Sequence, residues 1–153
     1  KFTYSSGPFV VSPKSLISSN VALFTSSGHY AEGNDPKPFG IENMSQEDAM
    51  ARIGDFIKEE PVLSSIPKST PSEKLRVAHG GYDIKGALAD HNVAFPLDVM
   101  RLLEKKGFIN RLADYAFSFV GACSQIRLNK KSAPLWAARL KELAVDTVLL
   151  VPV

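Results

Sequence analysis

The sequence predicts an α/β fold, a three-layer, doubly wound, mainly parallel sheet of about four strands. Apolar runs of strand length stand at Val21–Thr25, Ala116–Val120 and Thr147–Val151, and stretches of helical period separate them. The first and last runs do not alternate with polar residues, which suits strands covered on both faces. Strands that alternate with helices imply parallel pairing through right-handed crossovers.

Residues 1–18 are rich in Ser, Thr and Pro without periodicity and read as an irregular arm. Residues 19–153 read as a single α/β domain, a size that fits one core. Val21–Thr25 ends at the turn Ser26–Tyr30, and Ala31–Gly40 is loop. Ser45 and Asp48 have the spacing of a capping box before a helix over 46–59, with Met50, Ile53, Phe56 and Ile57 inward. Gly54 weakens that helix and Pro61 ends it. Ile66–Pro71 reads as loop and Lys74–His79 as a short strand.

Pro96 opens the next helix, with Leu97, Met100, Leu102 and Leu103 buried and Gly107 as its stop. A short helix is expected over Ile109–Tyr115. Ser132 is expected to cap the last helix, with Leu135, Trp136, Leu140 and Leu143 inward. A final strand that is buried on both faces needs a helix behind it. The chain is therefore expected to be cut short at its C-terminus.

Composition narrows the function. The net charge of +2, with no like-charged block longer than Lys130–Lys131, argues against a nucleic-acid partner. No apolar run approaches the roughly 20 residues that span a bilayer, so no membrane partner is expected. No signal-peptide pattern opens the chain, and the single cysteine, Cys123, allows no intrachain disulfide. A cytoplasmic location follows as an expectation.

Ligands of open α/β sheets bind beyond the carboxyl ends of the strands. Those ends are Ser26–Tyr30, the start of His79–Asn92, Gly121–Ser124 and Pro152–Val153. His79–Asn92 holds two His, two Asp, a Tyr and three Gly without helical period. A long irregular stretch inside a compact domain is often functional.

The candidate substrate-binding residues are therefore Ser27, Gly28, His29, Tyr82, Asp83, Asp90 and Asn92. Ser26–Gly28 reads either as an anion cradle of backbone N–H groups or as a plain strand-to-helix turn. His29 reads as a carboxylate holder or acid, or as a loop histidine bonded to backbone. Tyr82, among glycines, packs over a ligand or partner if it is not simply exposed. Asp83, Asp90 and Asn92 are pocket residues, or turn formers and a cap for the Pro96 helix. His79, Asp83 and His91 lack the spacing of a metal motif, so no metal is expected. Cys123 reads as a small buried apolar residue.

These residues also carry a family resemblance. Its pieces are Val21–Tyr30 with Pro38 and Phe39, Ile66-Pro67, His79–Asp83, Asp90–Asn92 followed by Val93–Leu97, Gly107–Ile109, Phe117–Gly121 and Asp146–Pro152. In order and spacing the chain resembles the selenoprotein B family of the glycine, sarcosine, betaine and D-proline reductases. The spacing is close to that of the small subunit of the D-proline reductases. The block around Tyr82, Asp83, Asp90, Asn92, Phe95 and Pro96 is the most specific piece. Gly81 stands where members of the family often have a second His.

The resemblance implies reductive cleavage of a C–N bond in a small amino acid or amine. It implies a selenocysteine or cysteine nucleophile immediately after Val153, and a pyruvoyl group on a partner subunit. No catalytic residue is then expected within residues 1–153. A residue between a strand end and a helix N-terminus sits in a positive backbone field, which lowers a thiol pKa. The alternatives are a non-catalytic partner or scaffold subunit, and a small-molecule-binding module of the same fold.

Overall fold

A computed structural model describes residues 11–12, 14–34 and 44–153. Most of the arm expected over residues 1–18, Pro38 and Phe39, and most of the loop after Ala31 lie outside the described residues. The fold is mixed α/β. It has a mostly parallel sheet of five strands and a small antiparallel sheet of two.

The central strand is β1 (Asn20–Thr25). The small sheet uses β2 (His29–Ala31), and β3 (Ser64–Pro67) lies at one edge of the large sheet. β4 (Leu75–Val77) completes the small sheet. β5 (Arg111–Leu112), β6 (Tyr115–Ser118) and β7 (Thr147–Val151) complete the large one. β7 runs parallel to β1 along its length, from Val21↔Thr147 to Thr25↔Val151. On the other side of β1, β5 pairs with its start and β6 with its end, both parallel. β3 then joins β6 antiparallel.

Side chains of β1 alternate between two cores, as a strand requires. Val21 and Leu23 meet Phe95, Leu97, Met100, Ile109 and Leu112. Ala22 and Phe24 meet Phe117, Trp136 and Leu140 on the opposite face. The Phe24 ring lies 5.7 Å from Phe117 and 5.5 Å from Trp136, within the range of favourable aromatic pairs.

The described residues form six α-helical pieces. α1 (Gln46–Ala51) starts with the expected capping box at Ser45 and Asp48, and α2 (Ile53–Phe56) follows after a break at Arg52. One continuous helix was expected here. The break turns Ala49, Ile53 and Phe56 inward and leaves Met50 and Ile57 exposed. α3 is Lys85–Ala89. α4 (Leu97–Lys105) begins after Pro96, and Gly107 follows it in the left-handed conformation. Leu102 of α4, expected inside, is exposed.

α5 (Gln125–Arg127) passes through a π-helical turn, Leu128–Ser132, into α6 (Ala133–Glu142). Ser132 does not cap this helix. Its buried hydroxyl donates to Glu60 at 3.1 Å, while Ser124 accepts the first-turn N–H of Arg127. Trp136 and Leu140, one turn apart, face the sheet, whereas Leu135 and Leu143 are exposed.

Three further expectations are corrected by pairing. The helix expected over Ile109–Tyr115 is instead β5 and the start of β6, because the flank of β1 opposite β7 offers a ladder to β5 at its start and to β6 at its end. Ile66-Pro67 is strand, not loop, and Pro67 is tolerated because β3 is an edge. The strand near Lys74–His79 exists, but it pairs antiparallel with β2 outside the large sheet. β7 is also not buried on both faces. It forms an edge, and Leu150 is 68% exposed.

Candidate functional site

The polar segments meet beyond the carboxyl end of β1, around Ser26. The Ser26 N–H donates to Val151 O at 3.2 Å, and its carbonyl accepts from Gly121 N–H at 3.0 Å. Its hydroxyl oxygen accepts the Val153 N–H at 2.9 Å. The turn after β1, the segment after β6 and the exit from β7 therefore touch one residue.

Gly28 turns the chain with φ 74°, the left-handed region where glycine carries no penalty. Its N–H donates to Phe119 O at 2.9 Å, and its carbonyl accepts from Ala78 N–H at 3.1 Å. The Ser27 N–H faces Thr25 Oγ1 at 3.3 Å. All three backbone N–H groups from Ser26 to Gly28 thus have internal acceptors. The anion-cradle reading of this turn gives way to the plain turn.

A buried network follows from it. Ser27 Oγ lies 2.5 Å from Thr25 Oγ1 and 2.7 Å from His29 Nδ1. Ser118 Oγ accepts the His29 N–H at 2.9 Å and lies 3.2 Å from Thr25 Oγ1. On the other side of the ring, His29 Nε2 lies 3.1 Å from His91 Nδ1. Phe95 stacks on the His29 ring at 5.1 Å and 14°. His29 is only 1% exposed, and burial first, then the cost of a second positive charge beside His91, pushes its pKa down to about 3. The imidazole is therefore neutral near pH 7, with one N–H to share between two neighbours.

A Ser–His pair at 2.7 Å has the separation of a nucleophile and its base. Ser27 cannot act so, because it is fully buried and its oxygen is already held by Thr25. The half-buried member of the network is His91. Its pKa is lowered by burial first and then by the Arg76 guanidinium, while Asp90 and Asp98 oppose that shift.

Tyr82 joins the same place from the glycine-rich stretch. Its hydroxyl donates to Ser27 O at 3.0 Å, and burial raises its pKa to about 12. Its ring packs on His79, with centroids 4.8 Å apart. His79 Nδ1 accepts the Gly81 N–H at 2.9 Å, and burial lowers the ring's pKa to about 4. The proton of this neutral ring is thereby placed on Nε2, a buried atom with no partner among the described residues.

The other candidates have local duties. Asp83 accepts the Lys85 N–H at 3.0 Å and starts α3. Asp90 accepts both N–H groups of Asn92, from backbone at 2.9 Å and side chain at 3.0 Å. Asn92 Oδ1 then accepts the Asp98 N–H at 3.2 Å, in the first turn of α4. The structure thus brings Ser27, Gly28, His29 and Tyr82 together, while the polar atoms of Asp83, Asp90 and Asn92 hold helix starts. Thr25, Ser118 and Phe95 complete the network, and of these Thr25 and Ser118 carried no signal of their own in the sequence. The family block from Asp90 to Pro96 marked Phe95 but contained His91 without singling it out.

Among the described residues, no group of three or more His, Cys, Asp or Glu is arranged to hold a metal ion. No helix among them is long and apolar enough to cross a membrane. Cys123 is buried, and burial raises its thiol pKa. It does not suit the role of a nucleophilic thiolate. In the native protein Cys123 should react with a disulfide reagent at least on the order of tenfold more slowly than in denaturant. Equal rates followed at 412 nm would contradict this burial.

Comparison with known proteins gives the same assignment as the residues. Residues 10–153 match the family model for glycine/sarcosine/betaine reductase selenoprotein B. The chain is 35% identical over 137 residues to glycine reductase complex component B subunit gamma of Symbiobacterium thermophilum, covering 90% of this chain and 29% of that protein. It is 34% identical over 138 residues to D-proline reductase subunit gamma of Acetoanaerobium sticklandii, covering 90% of this chain and 50% of that protein. A stretch of 72 residues, 47% of this chain and 16% of the relative, is 39% identical to sarcosine reductase complex component B subunit beta of Peptoclostridium acidaminophilum. No solved structure matches. The chain spans half or less of the length of each of these relatives. The match over residues 10–153 makes this chain a member of the glycine/sarcosine/betaine reductase selenoprotein B family.

Proposed function

We propose that this chain is the α/β part of the redox subunit of a reductase that cleaves a C–N bond in a small amino acid or amine. The nucleophile is a thiol or selenol immediately after Val153, and a partner subunit carries the pyruvoyl group that activates the amine. The working assembly is a cytoplasmic hetero-oligomer. Its fold is the three-layer, doubly wound one, which the cores on both faces of β1 support.

The observation that carries this reading is the Val153 N–H on Ser26 Oγ at 2.9 Å. It holds the chain leaving β7 against the turn that bears Ser27 and His29. A nucleophile one residue further on would start beside those groups, with Tyr82 fastened to the same turn. Cys123 cannot substitute for it, because burial favours its neutral thiol. The substrate-binding set proposed around that nucleophile is Ser27, Gly28, His29, Tyr82, Asp83, Asp90 and Asn92. Ser27, Gly28, Asp83, Asp90 and Asn92 shape its walls through the bonds above, and His29 and Tyr82 supply the rings.

The test compares the natural gene product with the same product stopped at Val153. Both are mixed with the partner subunit and a dithiol, and amine release is measured. Release by the longer form alone is expected. Equal activity in both forms, or a stop codon directly after Val153, would sink the reading and leave the scaffold role.

A further inference from the structure

The hydroxyl–imidazole network has a direction, and that direction decides what His91 offers. Consider protons running from Ser118. Ser118 accepts the His29 N–H and donates to Thr25 at 3.2 Å. Thr25 donates to Ser27 at 2.5 Å, and Ser27 donates to His29 Nδ1 at 2.7 Å. His29 then carries its proton on Nε2 and donates to His91 Nδ1 at 3.1 Å. Each hydroxyl in this order donates once, over 3.2 Å or less.

In the reverse order, the only side-chain acceptor left for the Ser118 hydroxyl among the described residues is Ser27 Oγ at 3.4 Å. The 2.7 Å contact between Ser27 and His29 also fits an O–H donor better than an N–H donor, whose usual separation is about 2.9–3.0 Å.

We propose that His29 is a positioning residue, and that it holds His91 as a neutral imidazole whose Nε2–H binds the carboxylate of the amino-acid substrate. This inference rests on the function proposed above for the nature of the ligand. It does not rest on that function for the geometry. With Nδ1 occupied by His29, a neutral His91 must carry its proton on Nε2. The two ring nitrogens point in diverging directions, so Nε2 faces away from the buried His29. A fixed donor calls for an acceptor, and a carboxylate is the acceptor that small amino acids share.

The surroundings agree with this. Arg76, from β4, adds positive charge near His91, and Asp90 and Asp98 are the acids that face it. Both acids are already engaged. Asp90 accepts from Asn92, and Asp98 accepts from Ser72 at 2.5 Å and from Arg101. Protonating His91 would place a hydrogen on Nδ1 against the His29 N–H. The whole chain of hydroxyls would then have to reverse.

The test uses the full-length gene product with its histidines labelled with ¹⁵N. At pH 7 the ring nitrogens of His29 and His91 should both show the Nε2–H tautomer. His29→Gln places an amide where Nε2 stood and should keep His91 in that form. His29→Phe preserves the stack on Phe95 but offers no donor, and should release His91 to a mixture of tautomers. Thermal unfolding of both variants reports whether the fold survives.

Glycine, sarcosine, betaine and D-proline are then added in turn. At least one should shift the His91 Nε2 resonance, and its counterpart without the carboxylate (methylamine, dimethylamine, tetramethylammonium or pyrrolidine) should not. In the assembled reductase, His29→Phe should raise KM on the order of tenfold with a smaller change in kcat, and His29→Gln should restore KM. A reductase that fails to turn over sinks the proposed function but leaves the tautomer and carboxylate arms readable. An Nδ1–H or doubly protonated His91 at pH 7 overturns the inference. So does a His91 resonance that no carboxylate moves, or an equal response to the decarboxylated amines.

Discussion

Lowering the pH from 6.5 to 4 should remove most of the stability of this fold, before its carboxylates become the main cause. His29 and His79 are buried, with pKa values pushed down to about 3 and about 4. In the unfolded chain each returns to about 6.5. Between those values the unfolded state binds more protons than the folded state, so stability rises with pH. It is fully present above pH 6.5 and is lost as the pH falls toward the folded values.

Linkage over that range amounts to roughly 6 kcal/mol for the two rings at pH 4, against a typical total of about 5–15 kcal/mol. His91 is shifted in the same direction and adds to the loss. The measurement is the urea midpoint at half-unit steps of pH. A midpoint that holds steady from pH 6.5 to 4.5 would show that neither ring is buried as a neutral group. The His79→Gln variant should flatten the profile, since glutamine does not titrate.

Replacing Gly28 with alanine should cost about 3 kcal/mol or more. Left-handed backbone costs an L-residue roughly 1–2 kcal/mol, and overpacking adds roughly 1–3 kcal/mol. Both apply here. Gly28 has φ 74°, and a Cβ on it would meet Ala78 O at 2.4 Å. That carbonyl belongs to backbone next to β4, so relief requires moving the segment that carries His79.

Gly33 is the internal control. Its φ is 78°, but a Cβ there meets nothing within 4 Å. Gly33→Ala should therefore show only the conformational cost, of about 1 kcal/mol. Denaturant unfolding of the two variants separates the terms. Equal losses would mean that the approach of Ala78 to the turn is not tight. A larger loss at Gly28, with the small sheet protected less from amide exchange, is the expected pattern.

Much of the frame could be read from local pattern. The runs at Val21–Thr25 and Thr147–Val151 and the core of Ala116–Val120 are parallel neighbours with β1 between the other two. The Pro96 helix and the Ser45 capping box needed only nearby residues, because caps and proline act over a few positions. Edge and centre were not separable in this way. Thr147–Val151 is as apolar as Val21–Thr25, yet its Leu150 is exposed while Leu23 is fully buried. Side-chain type reports what a strand can tolerate. Its place in the sheet depends on which partners reach its two ladders.

The site divides along the same line. Its glycine turn, His29 and Tyr82 stood out because a ring or a glycine at a strand end is unusual in sequence. Thr25 and Ser118 did not, since a hydroxyl residue in a strand is ordinary. They matter because β1 and β6 align Thr25 with Ser118, which sets two hydroxyls beside Ser27 and out of water. Likewise, 62 positions separate His29 from His91, and only the packing of Phe95 against His29 brings the second ring to the first. Composition and period determined that this chain is an α/β domain with polar strand ends. Tertiary packing alone decided which of those polar groups are dry. Dryness is what keeps a histidine neutral and aligns a row of hydroxyls, because buried polar groups must find partners that water would otherwise supply.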